Sequence, residues 1–207
     1  MKLLIFGSTG SIGLHLVEQA LEQGHTVSAF TRDPSKLDME HENLYSLQGD
    51  AMDFSSVEKA VQGQDGVLCS IGAGRNGTVR TEGTRNIVRA MEKAGVRRFI
   101  CQSTLGVGDS WKNLNFLWKY IMFGGLLRHV YADHVSQEDH VRQSDLDWTI
   151  VRPGAFTDGS RTGSYRHGFP GTDRTTKLKI SRADVADFML KQLTDDTYLH
   201  MMPGLSY

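Results

Sequence analysis

The chain alternates short apolar runs with longer stretches in which apolar residues recur at helical spacing. Six of the short runs have the length and composition of buried strands: residues 2–7, 25–31, 44–48, 66–71, 98–102 and 148–152. Helical periodicity lies between them, over residues 10–24, 54–62 and 79–93. Because strands that alternate with helices form right-handed βαβ units, the pattern predicts an α/β fold: a single Rossmann-like domain over residues 1–207, with one doubly wound parallel sheet.

Residues 105–147 depart from this alternation. Within them, residues 114–127 form an apolar and aromatic run (LNFLWKYIMFGGLL), and residues 129–144 have the pattern of a polar amphipathic helix. Three interpretations of the apolar run stay open: a buried loop and helix over the sheet, an apolar wall or lid over a substrate, or a contact between subunits. We expect residues 103–134 and 152–182, which follow the ends of the last two strands, to form the substrate site.

The first predicted strand runs directly into a glycine-rich turn with the sequence GSTGSIG, residues 7–13. Glycines three positions apart permit a tight turn, close approach of backbone N–H groups to a phosphate and close packing of the next helix. The start of that helix offers unpaired N–H donors and a partial positive charge. The sequence therefore predicts a dinucleotide site at Gly7, Thr9, Gly10, Ser11 and Ile12. The alternative is a glycine-rich turn that binds nothing; a P-loop is excluded, since no GK[ST] follows.

The end of the second predicted strand indicates which dinucleotide binds. A carboxylate at this position usually meets the ribose 2′-hydroxyl of NAD, whereas arginine matches the 2′-phosphate of NADP. The chain has Arg32 here, with Lys36 close behind it, so we predict NADP(H) as the cofactor. Two alternatives stay open: Asp33 turned inward would favour NAD, and Arg32 could be an ordinary surface residue.

Three further positions along the same sheet edge are assigned from topology. Asp50 and Ala51 follow the third strand and are expected to bracket the adenine. Ile71 and Gly72 end the fourth strand, where small residues let a cofactor pass. Arg75 lies just beyond and is within reach of a phosphate.

The candidate chemistry does not include alcohol oxidation by the usual mechanism. That mechanism uses a Tyr-x-x-x-Lys pair, and the chain contains none. Ser103, after the fifth strand, could hydrogen-bond the nicotinamide or the acceptor, or it could simply cap the strand. His134 has the residue type for a proton donor near neutrality, or it could lie on a helix surface. The cations of residues 158–182 could attract an anionic acceptor or form a solvated basic loop.

The composition adds three exclusions. The 207 residues include 23 Lys and Arg and 24 Asp and Glu, so the chain lacks the excess of basic residues that is typical of nucleic-acid-binding proteins. No run is long and apolar enough to predict a membrane span, and glycine and serine interrupt the first apolar run before it could form a signal peptide. Cys69 and Cys101 lie in apolar stretches without ligand spacing, which predicts reduced core thiols, no metal site and a cytoplasmic protein.

Together with Arg32 and the glycine-rich turn, the motifs GTRNIV (residues 83–88) and DWTIVRPG (residues 147–154) resemble those of the atypical short-chain dehydrogenase/reductase superfamily. Within it the chain is most similar to the NADPH-dependent flavin reductase and biliverdin-IXβ reductase family, over nearly its whole length. The resemblance implies that Ser103 lies beside the nicotinamide with His134 near it, and that Pro153 belongs to the cofactor site. One departure is Ala155, at a position where that family has a histidine; it weakens the implication of a bilin substrate.

The resemblance and the cofactor turn together predict an NADPH-dependent reductase. Its acceptor would be a flat conjugated molecule: a flavin, a biliverdin-type tetrapyrrole or a quinone-like compound. The alternative is a non-catalytic regulator of the same superfamily that binds NADP(H) and senses its redox state. We expect a monomer or a weak homo-oligomer.

Overall fold

The computed structural model describes residues 1–72 and 78–207 and contains ten strands. They are β1 (Lys2–Phe6), β2 (Thr26–Thr31), β3 (Leu44–Gln48), β4 (Gly66–Cys69), β5 (Arg98–Gln102), β6 (Asp147–Pro153), β7 (Ala155–Thr157), β8 (Arg166–His167), β9 (Lys179–Ser181) and β10 (Gly204–Ser206). The main sheet has the order β3-β2-β1-β4-β5-β6-β10-β8, and every pair is parallel except β10 with β8. Strand order reverses between β1 and β4, so a crevice is expected at their carboxyl ends.

Five α-helices cover both faces of this sheet. They are α1 (Gly13–Glu22), α2 (Phe54–Val61), α3 (Val79–Ala94), α4 (Arg128–Arg142) and α5 (Arg182–Lys191). Side chains alternate between the two faces of β1: Leu3 and Ile5 belong to the core under α1 and α5, while Leu4 and Phe6 belong to the core that includes α2 and α3. The predicted doubly wound α/β fold is therefore confirmed.

The structure differs from the sequence prediction in four places, one of which is α5, a helix that the sequence analysis did not predict. β4 ends at Cys69, so residues 70–72 leave the sheet and lie at the crevice. The four strands β7 to β10 were not predicted, since segments of two to three residues carry no periodicity. Leu117–Leu126 forms a π-helix instead of a buried loop, and of its residues only Phe123 is buried. Within the described ranges, no helix combines the length and apolar character that crossing a membrane requires.

Candidate active site

The glycine-rich turn after β1 has a geometry that only glycine permits. Gly7 has a φ of +78°, and a Cβ added there would lie 2.6 Å from the Ser70 carbonyl oxygen. A Cβ at Gly13 would lie 1.9 Å from the Gly7 carbonyl oxygen, so α1 packs directly on the turn. The Gly10 N–H donates to that same oxygen at 2.8 Å. The turn is therefore compact, and at its three glycines no side chain covers the backbone.

The start of α1 leaves backbone donors free for an anion. Ile12 stands at the N-cap position, where no side chain caps the helix. Among the described residues, no backbone carbonyl accepts from the N–H groups of Ser11, Ile12 or Gly13. Unpaired N–H groups at a helix start are the donors that a pyrophosphate uses. The turn and the helix start thus fit the diphosphate of a dinucleotide.

The end of β2 presents Arg32 to solvent, and the neighbouring carboxylate of Asp33 is engaged by local hydrogen bonds. Asp33 accepts from the backbone N–H and the hydroxyl of Ser35, at 3.2 and 2.6 Å, and its other oxygen lies 3.7 Å from Lys36 Nζ. The Ser35 hydroxyl, opposed by partial desolvation, holds the pKa of Asp33 below its usual value. Arg32 has no acidic partner among the described residues. Together with Lys36 it lines a groove beside the glycine-rich turn, which we call the nucleotide groove. Asp33 lines the same groove, so its contacts with Ser35 engage the carboxylate without removing it from the groove.

The loop that we predict to bracket the adenine is held by a residue that was not among the predicted site residues. Asn86 of α3 donates from Nδ2 to the carbonyl oxygens of Ala51 and Met52, at 2.9 and 3.1 Å. A Cβ added at Gly83 would lie 3.2 Å from the Cβ of Ala51, so α3 approaches this loop closely. Both residues belong to the GTRNIV motif, which positions Asp50 and Ala51 along the groove.

A second cavity continues the groove on the other side of the glycine-rich turn. The nucleotide groove has a volume of about 290 Å³ and the second cavity about 440 Å³, and both are lined by Gly10, Ile71 and Gly72. The apolar wall of the second cavity comes mainly from the loop after β5 and the π-helix: Leu105, Leu114, Trp118, Phe123 and Leu127. The interpretation of residues 114–127 as an apolar wall thus fits the geometry, and the fully buried interpretation is wrong, since Leu117, Tyr120 and Leu126 are exposed.

Ser103 lies in the cavity wall and belongs to a buried ionic cluster. Its hydroxyl donates to Glu138 Oε1 at 2.6 Å. Arg152 donates hydrogen bonds to the same carboxylate from two of its nitrogens, at 2.9 and 2.6 Å, and from its third nitrogen to Asp109 at 2.6 Å. Burial opposes the charge on Arg152, but the hydrogen bonds and charge of Glu138 and Asp109 outweigh burial and raise its pKa. Ser103 therefore does not cap its strand, and its proton is committed to Glu138.

His134 also lines the cavity and is 4% exposed, which rules out the surface position considered for it. Its Nδ1 lies 3.1 Å from Gln137 Oε1. Burial, reinforced by the charge of Arg80, lowers the pKa of His134 to about 3. The lowered pKa keeps the ring neutral near pH 7 and does not favour the role of proton donor, which stays a prediction.

The basic loop between β7 and α5 contributes one cation to the cavity. Of the six cations of residues 158–182, Arg182 lines the cavity, with its guanidinium 5.5 Å from the centre of the Phe156 ring and 2.5 Å from Asp158. The other five cations do not line the cavity; Arg161, for example, pairs with Glu22. Of these six cations, Arg182 is therefore the one placed to attract an anion into the cavity.

A family model described as NAD(P)H-binding matches residues 7–196. The chain belongs to this NAD(P)H-binding family. The expectation of a nicotinamide dinucleotide cofactor is thereby confirmed, as is the resemblance to short-chain dehydrogenases and reductases. A UPF0659 protein of Saccharomyces cerevisiae is 29% identical over 208 residues, covering 93% of this chain and 87% of the yeast protein.

Two solved structures are similar over the whole chain. An anaerobillin reductase of Escherichia coli O157:H7, ChuY, is 26% identical with a TM-score of 0.80, and the match covers 100% of this chain and 97% of that one. A short-chain dehydrogenase/reductase of Veillonella parvula, solved in complex with NADP, is 19% identical with a TM-score of 0.82, covering 100% and 94%. At that identity the second likeness shows the fold alone.

In this NAD(P)H-binding family member, the structure brings most of the predicted site residues to one crevice. The groove and the cavity together are lined by Gly7, Thr9, Gly10, Ser11, Ile12, Arg32, Lys36, Asp50, Ala51, Ile71, Gly72, Ser103, His134 and Pro153. Arg75 lies outside the described residues.

The sequence prediction missed Asn86, Glu138 and Gln137, which hold site residues from neighbouring helices. For Glu138 a usable indication existed, since it stands four positions after His134 and therefore on the same helix face.

Proposed function

We propose that the protein is an NADPH-dependent reductase that delivers a hydride to a flat conjugated acceptor. The observation that carries the proposal is the continuity of the nucleotide groove with an aromatic-walled cavity, through Gly10, Ile71 and Gly72. A dinucleotide on the glycine-rich turn would extend from Arg32 at one end to this shared wall at the other. Membership of the NAD(P)H-binding family supports the cofactor, and the reductase named among the similar structures supports the reaction class.

The residues of the cavity favour an acceptor that needs no acid from the protein. Neither tyrosine nor lysine is among the described residues that line the cavity. Ser103 has committed its proton to Glu138, and His134 carries no titratable proton at neutral pH. When bound, NADPH supplies a hydride, that is, two electrons and one proton. A conjugated acceptor can delocalise the charge it gains and take any further proton from water.

In this proposal the chain's own residues bind and orient. Arg32, assisted by Lys36, pairs with the 2′-phosphate, and the N–H groups at the start of α1 hold the diphosphate. Ser103 accepts a hydrogen bond from the nicotinamide amide, since its own proton points to Glu138. Trp118 and Phe123 pack against the acceptor and exclude water.

The test is NADPH oxidation in the presence of FMN, riboflavin, biliverdin and menadione, each assayed also with NADH. We expect turnover with at least one acceptor and a clear preference for NADPH. Calorimetric titration with NADPH runs in parallel. Tight stoichiometric binding without turnover of any acceptor would contradict the reductase and support the redox-sensing regulator.

A further inference from the structure

The π-helix carries a group of exposed apolar side chains on the side that does not line the cavity. Among the described residues, eleven large apolar side chains are exposed, and five of them fall within residues 116–126: Phe116, Leu117, Tyr120, Ile121 and Leu126. The other six are spread over the rest of the chain. Single exposed apolar residues are ordinary on a protein surface, whereas a concentrated group marks an interaction surface. We call this group the outer face.

The π-helical backbone is what collects these side chains on one side. Its hydrogen bonds join residues five apart, as from the Leu127 N–H to the Met122 carbonyl at 2.7 Å, so residues four and five apart share a face. Phe116 and Tyr120 are related in this way, and their ring centres lie 5.0 Å apart. An α-helix would mix the two sides, because it also brings residues seven apart, such as Phe116 and Phe123, onto one face. Residues at the same spacing on the opposite side line the cavity: Trp118, Phe123 and Leu127.

The charges beside the outer face are all positive. Lys112 precedes the π-helix, Lys119 lies within it and Arg128 follows it, and residues 110–132 contain no acid. Lys112 and Arg128 are exposed, and Lys119 is partly exposed. An apolar face with cations at its edges has the chemistry that helices use to lie on an anionic membrane surface.

The nearest acids along the chain do not neutralise these cations. Asp109, before the segment, pairs with Arg152 at 2.6 Å, and Asp133, after it, pairs with Arg80 at 3.4 Å. None of the three cations forms an ion pair with any acid of the described residues, and residues 73–77 contain no acid in their sequence. Their charge is therefore free to act on a partner.

We propose that the outer face docks on the surface of an anionic phospholipid bilayer, with its apolar side chains among the lipids and its cations against the headgroups. The helix has ten residues, so it would lie in the plane of the surface and not cross it. A second copy of the chain fits the face less well, because pairing about a two-fold axis would set the cations of one copy against those of the other. The inference is independent of the proposed function, since vesicle binding needs neither NADPH nor an acceptor.

The unmodified protein is tested by co-sedimentation with two kinds of vesicle. One contains phosphatidylcholine alone, and the other contains phosphatidylcholine and phosphatidylglycerol in about equal amounts. In about 0.15 M salt we expect binding to the anionic vesicles to be at least about tenfold tighter, because each cation near such a surface adds to the attraction. Raising the salt to about 0.5 M should reduce this preference, since the charges are then screened.

Two matched pairs of variants locate the contact on the molecule. Tyr120→Ser removes an aromatic ring of the outer face, and Tyr45→Ser makes the same change on β3, where the side chain is similarly exposed. We expect at least about fivefold weaker binding to anionic vesicles for Tyr120→Ser and unchanged binding for Tyr45→Ser. Arg128→Glu and Arg142→Glu reverse a charge at opposite ends of α4. We expect at least about fivefold weaker binding for Arg128→Glu and a much smaller effect for Arg142→Glu.

Several outcomes would overturn the inference. The first is a failure of the unmodified protein to bind anionic vesicles, or equal binding to both kinds of vesicle. The second is an equal loss of binding in the two members of each pair, with the fold of each variant checked by circular dichroism. The third is self-association in sedimentation velocity without vesicles: a dimer that Tyr120→Ser dissociates and Tyr45→Ser leaves intact would assign the outer face to a second copy of the chain.

Discussion

We predict that two adjacent residues at the end of β2 set the choice of cofactor. Asp33 and Arg32 both line the groove, and Ser35 and Lys36 engage the Asp33 carboxylate within the local turn. Among the described residues Arg32 has no acidic partner, so its guanidinium is available to a phosphate. A planar guanidinium matches a phosphate with two parallel hydrogen bonds, so the pair favours NADPH.

The substitution Arg32→Glu should weaken NADPH binding by at least about tenfold and leave NADH binding nearly unchanged. The reason is that a charge-assisted hydrogen bond between the guanidinium and the 2′-phosphate is replaced by repulsion between a carboxylate and that phosphate. Calorimetric titration of both nucleotides measures the effect. Arg142→Glu is the control, since Arg142 is exposed on the last turn of α4 and pairs with Asp139 there. Equal losses for NADPH and NADH would remove Arg32 from the 2′-phosphate site.

Burial of His134 also makes folding depend on pH. The folded-state pKa of about 3 lies below the ordinary value of 6.5, so below pH 6.5 the unfolded chain binds a proton that the native protein does not. Protonation therefore favours the unfolded state as pH falls from 6.5 towards 3.

The free energy of unfolding should fall by about 1.4 kcal/mol per pH unit in that window through His134 alone. Urea unfolding of the parent and of His134→Leu, at pH values from about 7.5 to about 5, isolates this contribution. The other titrating groups are common to both proteins, so their effect on the free energy of unfolding cancels in the comparison. As the pH is lowered, the free energy of unfolding of the parent should fall relative to that of the variant. Parallel pH profiles would contradict the buried neutral histidine.

At the scale of elements, contacts between α4 and β6 hold the wall of the second cavity together. Glu138 on α4 and Arg152 on β6 are both buried and joined by two hydrogen bonds, and Ser103 from the end of β5 completes the cluster. Arg152 also reaches Asp109, which is largely exposed. The same guanidinium thus has one buried and one exposed partner.

These two partners should contribute very differently to stability. Glu138→Gln removes the charge that compensates a buried guanidinium, and we expect a loss of about 3–5 kcal/mol in the free energy of unfolding. Asp109→Asn should cost less than about 1 kcal/mol, since its carboxylate is solvated and screened. Urea denaturation of both variants measures the contrast. Similar losses would mean that the two carboxylates carry equal weight.

At the scale of the whole molecule, the proposed function places both ligands in one crevice. A dinucleotide on the glycine-rich turn would form part of the wall of the acceptor cavity, since Gly10, Ile71 and Gly72 line both spaces. Filling one space should therefore change the affinity of the other, and the coupling must be reciprocal.

We expect NADP⁺ to tighten the binding of lumiflavin by at least about fivefold, measured by quenching of the flavin fluorescence. Lumiflavin should tighten the binding of NADP⁺ by the same factor, which provides an internal check. Independent binding of the two ligands would mean that the cavity is not the acceptor site.

The order of elements and the cofactor turn were predictable because they depend on local pattern. The six predicted strands all appear as parallel neighbours in the sheet, and the glycines of residues 7–13 stand where a Cβ would strike the backbone. Residues 114–127 were ambiguous for the opposite reason: their composition fits a core, a wall or an interface equally well. Only packing showed that Trp118 and Phe123 line a cavity while Leu117 and Tyr120 face solvent.

The sequence by itself determined a Rossmann-like domain with an NAD(P)H site, since strand periodicity and a glycine-rich turn are local properties of the chain. The tertiary structure alone decided the protonation and polarity of the acceptor site. His134 and Ser103 carry ordinary side chains, but Gln137, Glu138 and Arg152, brought near by α4 and β6, fix where their protons lie. Burial and partners set a side chain's proton affinity, and neither can be read from residue type.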